Sequence, residues 1–125
     1  IKPALNDGKI VICDRFYDST TAYQGYGRQL PLEDVIKINK LATKGLAPDV
    51  TIYLEVSLDL AKERGFDGKI DRMESSGDEF YTRVLQGFSE LADSEPDRFI
   101  RIKSDNDIDS THKLIVDKIE NIFNK

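Results

Sequence analysis

Asp14 and Arg15 stand side by side where a short apolar run ends, and Ser19, Thr20, Thr21, Tyr23 and Gln24 follow closely. Arginine presents a planar fork of donors that matches a phosphate group. An adjacent carboxylate repels phosphate unless it also orients the arginine or meets a metal ion. The pair therefore suits a ligand in which a cation accompanies phosphate. The plainer reading is a solvated ion pair at a strand end. The next residues extend the first reading. Three hydroxyls supply donors and acceptors, Gln24 can pair with a base edge, and Tyr23 offers a face that stacks or packs on a sugar. Gly25 and Gly27 allow close backbone approach, and Arg28 adds a second cation. The plainer alternative here is a capped helix with one core tyrosine and a surface arginine.

These side chains need elements to hold them. Residues 10–13 (Ile, Val, Ile, Cys) read as a fully buried strand, and Cys13 as a small buried hydrophobe. Ile1, Ala4 and Leu5 read as the last turn of a helix ended near Gly8. The stretch from Ser19 to Leu30 is helix or irregular backbone. Pro31 suits a first helical position, and Leu32, Val35, Ile38 and Leu41 then predict an amphipathic helix over 31–44, closed by Gly45. Residues 49–56 read as a second strand. A helix over 58–64 follows, with Ser57 as N-cap and Asp59 in its first turn. Residues 65–78 read as a mobile loop. A helix over 78–92 places Phe80, Val84, Leu85, Phe88 and Leu91 on one side. Residues 98–103 form a third strand, and 108–123 a closing helix; the stretch that opens it reads either as backbone that meets a ligand's base or as a turn with an N-cap at Asp109 or Ser110. His112 reads as surface or filler.

Alternating strands and helices predict an α/β domain with a mostly parallel sheet, whose ligands gather at the carboxyl ends of the strands. Asp14, Arg15 and Glu55 fall there. The 125 residues suit one domain, and 39% apolar content provides for a core. A net charge of −5 argues against an extended nucleic-acid-binding face. One cysteine rules out a disulfide framework within the chain, which fits a reducing cytoplasm. No apolar run approaches the roughly 18 residues of a membrane span.

The stretch "DRFYDSTTAYQGYGR" resembles the DR-(Y/F/H)-x-x-S-x-x-AYQG-x-GR motif of bacterial thymidylate kinases. "IKPALNDGKIVICDR" is similar to that family's helix-to-strand lead-in, and "APDVTIYLEVSLDLAKERG" to its next strand and helix. "KIDRMES" resembles its lid segment, and "FYTRVLQGFSELA" the helix beyond. The resemblance implies a three-layer P-loop-type nucleoside monophosphate kinase fold, and ATP-dependent phosphorylation of dTMP to dTDP in dTTP biosynthesis. It implies Asp14 near the magnesium ion and Arg15 on the acceptor phosphate. Ser19, Thr20, Tyr23 and Gln24 would line the thymidine pocket. A lid over about 64–76 would bring Arg64, Lys69 and Arg72 toward the donor phosphates, with Arg72 acting in catalysis. Asp71 and Glu74 would place the acceptor or order the closed lid. Such chemistry mainly positions two anions and neutralises charge. Family members are commonly homodimers.

No G-x-x-x-x-G-K-(S/T) loop occurs in the chain, and the chain does not open with Met. The expectation is the C-terminal part of a single kinase domain, roughly three-fifths of it, with the fold present only in part and no catalysis by this portion alone. Two other readings remain open at this stage. One is a deoxynucleoside or other nucleoside monophosphate kinase. The other is a non-catalytic module that keeps the shape of a nucleotide site.

Overall fold

The computed structural model describes residues 1–65, 77–105 and 107–124. Helix α1 (Lys2–Asn6) ends before Gly8, whose φ of +74° is readily adopted only by glycine. After an extended stretch, α2 (Tyr17–Thr20) runs directly into a π-helix (Thr21–Gly27). Then come α3 (Leu32–Ala42), β1 (Thr51–Glu55), α4 (Leu58–Gly65), α5 (Asp78–Ser94), β2 (Phe99–Lys103) and α6 (Ile108–Phe123).

The two strands pair in parallel, with Thr51 opposite Phe99 and Glu55 opposite Lys103. A parallel pair needs a crossover, and the chain between β1 and β2 includes α4 and α5. Two apolar clusters meet along α5. Ala22, Phe80 and Val84 form one; Tyr53, Ala92 and Phe99 form the other; Phe88 and Leu91 touch both. Tyr53 stacks on Phe88 with centroids 5.6 Å apart. The core thus fastens the helix bearing Tyr23 to the sheet through α5.

Local signals held where one face of an element packs on a neighbour. Ser57 Oγ accepts from the Leu60 N–H at 3.2 Å, as an N-cap should. Helix α5 begins at Asp78, with Phe80 and Val84 each 2% exposed. Three expectations fail. Residues 10–13 form no strand: Ile10 is 72% and Ile12 92% exposed, and Cys13 is exposed rather than buried. A strand exists only by ladder bonds to a neighbour, and among the described residues β1 and β2 pair solely with each other. The stripe on α3 does not bury as a stripe. Val35 is 5% exposed, but Ile38 is 63% and Leu41 80% exposed. Steps of three residues fall about 60° short of a turn, so the row spirals around the helix; the buried face runs instead from Val35 to Asn39. The cap of α6 is Asp107, not Asp109 or Ser110; its Oδ1 accepts from the Ser110 N–H at 2.9 Å. His112 is exposed. Among the described residues no helix is long and apolar enough to cross a membrane.

Candidate functional site

Asp14 and Arg15 lie exposed in the turn that leads into α2. Arg15 has φ of +65°, the left-handed region that costs a non-glycine residue about 1–2 kcal/mol. Held so, its guanidinium carbon sits 5.5 Å from the centroid of the Tyr23 ring. That ring is half-buried and packs edge-on against Phe80 and Phe88, at 6.1 and 6.3 Å between centroids. The arginine and the tyrosine singled out by the sequence are therefore brought together. Strained backbone of this kind tends to persist at ligand sites.

Ser19 and Tyr23 are four residues apart, as are Thr20 and Gln24, so each pair lies near one side of the helix. Ser19 and Gln24 are half-buried, and Thr20 is exposed. Thr21 is turned away: its hydroxyl donates to the Tyr17 carbonyl and accepts from Asn39 Nδ2 at 2.9 Å, joining this helix to α3. The π-geometry is visible in the Arg28 N–H, which bonds the Tyr23 carbonyl five residues back.

The glycines do something other than admit a ligand. A Cβ at Gly27 would fall 2.6 Å from Phe80 Cε2 and 2.7 Å from Val84 Cγ2; one at Gly25 would fall 2.5 Å from Leu32 Cδ2. Both give room to neighbouring side chains of this chain. Arg28 lays its guanidinium 4.9 Å from the centroid of Phe80. Glu55, at the end of β1, accepts from Arg101 Nη1 at 3.2 Å.

Behind this surface lies a network with no sequence signal. Arg98 donates to Asp18 Oδ2 at 2.7 Å and Oδ1 at 2.8 Å, to Thr51 Oγ1 at 2.7 Å, and to both carboxylate oxygens of Glu95 at 2.8 Å. All five guanidinium donors are thereby used. Asp18 is 5% exposed. The group stacks near Phe99 and Tyr17 and ties α2, β1, α5 and the start of β2 together. Its partners lie up to 80 residues apart in sequence, beyond any local pattern. Hydrogen bonding to Asp18 is the main reason the Arg98 pKa rises further.

These charges set a pH window. The Arg98 hydrogen bond holds the Glu95 carboxyl below its ordinary 4.5, and the Ser110 backbone bond holds Asp107 below 3.8. A depressed carboxylate contributes stability above its unfolded value and loses it as pH falls through the folded one. Burial pushes the Tyr17, Tyr26 and Tyr53 phenols above 10.0, so their contribution is lost as pH rises through those raised values. The urea midpoint is expected to stay level between about pH 5 and 9, to fall below about 4.5 and to fall again above 10. Glu95→Gln should flatten part of the acid limb and, because the Glu95 charge is a minor contributor to the raised Tyr17 phenol, trim the alkaline limb only slightly.

Of the lid residues read from the sequence, Lys69, Asp71, Arg72 and Glu74 lie outside the described residues. Arg64 ends α4 with its Nη1 on the Ser104 hydroxyl at 3.0 Å and on the Ser104 carbonyl. Lys62 pairs with Asp78, linking α4 to the first turn of α5. Among the described residues no three metal-ligating side chains cluster. Asp14 fits a magnesium ion in one way: such an ion takes one or two carboxylates and fills its shell with phosphate oxygens and water.

The sequence model of the thymidylate kinase family, "Thymidylate kinase", matches residues 1–115. A thymidylate kinase of Prosthecochloris aestuarii is 46% identical, over 95% of this chain and 58% of its own length. One from Dehalococcoides mccartyi is 52% identical, over 82% of this chain and 49% of its own. The crystal structure of thymidylate kinase from Ehrlichia chaffeensis superposes with a TM-score of 0.71 at 34% identity, covering 95% of this chain and 53% of that one. The chain spans about half the length of the relatives it matches, and its helices and parallel strand pair are part of an α/β nucleotide-kinase fold. On the match over residues 1–115 and on the identity across nearly all of its length, the chain belongs to the thymidylate kinase family.

Proposed function

We propose that this chain supplies the acceptor-binding part of an enzyme that transfers the terminal phosphate of ATP to dTMP. The observation that carries the reading is the Arg15–Tyr23 pair: a cation in left-handed backbone, over a ring fixed by α5, beside half-buried Ser19 and Gln24. In this reading Arg15 grips the acceptor phosphate. The Tyr23 ring packs on the deoxyribose side, Gln24 meets the base edge, and Ser19 and Thr20 complete the pocket. Asp14 would sit near the magnesium ion and the phosphates, bearing on the metal indirectly; the ion when bound neutralises phosphate charge. Arg64, Lys69 and Arg72 belong to a lid over about 64–76 that covers the donor phosphates and excludes water, with Asp71 and Glu74 ordering it. The residues form one domain with that lid. The working form is a cytoplasmic homodimer that needs no nucleic acid.

A nucleotide panel tests the proposal. The complete polypeptide encoded by the gene should release ADP from ATP with dTMP about 100-fold faster than with dCMP or dGMP, because a site built around one base leaves its polar groups unpaired with another. The 125 residues alone should bind without turnover, for they carry no phosphate-cradling G-x-x-x-x-G-K-(S/T) loop. Equal rates with all nucleotides, or phosphorylation of thymidine itself, would overturn the assignment.

A further inference from the structure

Helix α5 carries one cation that the reading above leaves unused. Arg83 is half-buried and sends both Nε and Nη2 to a single acceptor, the Gly27 carbonyl, at 3.1 and 3.0 Å. Gly27 closes the π-helix, and its carbonyl is one of the acceptors a helix end leaves without an internal partner. Four residues on stands Pro31, which has no N–H to offer. Arg83 supplies the missing donors from another helix, and places its charge where the helix dipole favours a cation.

The contact sits one peptide away from the bond that sets Tyr23. The next residue, Arg28, gives its N–H to the Tyr23 carbonyl at 2.9 Å. On the other side, the Tyr23 ring leans on Phe80 and Phe88. Phe80, Arg83, Val84 and Gly87 recur at spacings of three and four, so one face of α5 does all of this. The fit is close: Gly27 lies against Phe80 and Val84, and Gly87 against the Tyr26 ring, leaving no room for a Cβ at either glycine. The π-helix is therefore gripped by its last carbonyl, by its glycine and by its aromatic ring, all from α5.

We infer that Arg83 is a positioning residue: its fork on the Gly27 carbonyl holds the end of the π-helix so that Tyr23 presents its ring beneath Arg15. The inference deepens, and rests on, the assignment of Arg15 and Tyr23 to the acceptor site. It concerns acceptor binding and not the transfer step, because among the described residues the Arg83 fork hydrogen-bonds the Gly27 carbonyl alone.

Two readouts on the complete gene product separate the claims. The first is ligand-free: NMR shifts of the Arg15 side-chain protons, moved by the current of the Tyr23 ring and referenced to Tyr23→Leu. Arg83→Met removes the fork and keeps the stem, and should bring these shifts toward the Tyr23→Leu values. The second is kinetic. Arg83→Met should raise the KM for dTMP about tenfold with kcat within about twofold, the pattern of lost uniform binding. Arg83→Lys keeps the charge but not the fork, and should fall between. Unchanged shifts and KM in Arg83→Met overturn the inference. If that variant does not fold, wild-type shifts and KM in Arg83→Lys overturn it equally. Displaced shifts in a protein that ignores dTMP would uphold the positioning role and sink the assignment of the acceptor instead.

Discussion

Asp18→Ala is expected to destabilise the fold by about 3–5 kcal/mol, the scale on which removing one partner of a buried ion pair acts. The side chains of Asp18 and Arg98 are 7% and 11% exposed. Removing the carboxylate leaves two guanidinium donors aimed at nothing, in a place water reaches poorly. Measured against a total of about 5–15 kcal/mol for a domain, such a loss should lower the urea midpoint sharply. Arg98→Met should do comparable harm, because it leaves the buried Asp18 carboxylate with the Thr51 hydroxyl but no countercharge. The paired replacement Asp18→Leu with Arg98→Met should recover most of the loss, since it leaves no buried charge unpaired and the Glu95 carboxylate that also loses its partner is open to water. A single-variant loss below about 1 kcal/mol would mean that the pair behaves like a surface ion pair. The site feels this network as well. Asp18 lies one turn from Ala22 on the helix that carries Ser19 and Tyr23, so the buried fork helps fix that helix against the start of β1.

How much of this could be read in advance depends on the range of the forces involved. Helices α4 and α6 were legible because their signals are local: Ser57 before Leu58, and Ile115, Ile119 and Ile122 on one stripe. The strands were legible where β-branched runs found each other, as Thr51 to Glu55 found Phe99 to Lys103. The same kind of run at 10–13 was misread, because a strand is a relation between two segments and composition reports only one. The α3 stripe was misread because a three-residue spacing looks like a helical face over two turns and drifts off it by the third. Asp14, Arg15, Tyr23 and Gln24 were legible as a motif, and the geometry unites Arg15 with Tyr23. Gly25 and Gly27 were assigned to the right stretch for the wrong reason, since what approaches them is Leu32, Phe80 and Val84. Asp18, Arg98 and Arg83 were missed altogether. Each acts through a partner more than 50 residues away, and an isolated charged residue carries no trace of that partner.

Arg15→Ala is expected to weaken dTMP binding about 100-fold or more in calorimetry, the scale on which truncating one partner of a hydrogen-bonded charge pair acts. Arg15→Lys should restore only part of it, because a single ammonium cannot reproduce a bidentate fork. The backbone makes a sharper test possible. With φ at +65°, this position strains any side chain and suits glycine. Arg15→Gly should therefore bind dTMP as poorly as Arg15→Ala, yet melt higher than the alanine variant by an amount corresponding to about 1 kcal/mol. The two observables then move independently. If both variants lose affinity and glycine is the more stable, the arginine is held in strained backbone for its guanidinium. Were Arg15→Ala to bind dTMP normally, the phosphate would have to be met by another cation. Arg28, already committed to the face of Phe80 but exposed, would be the residue to replace next.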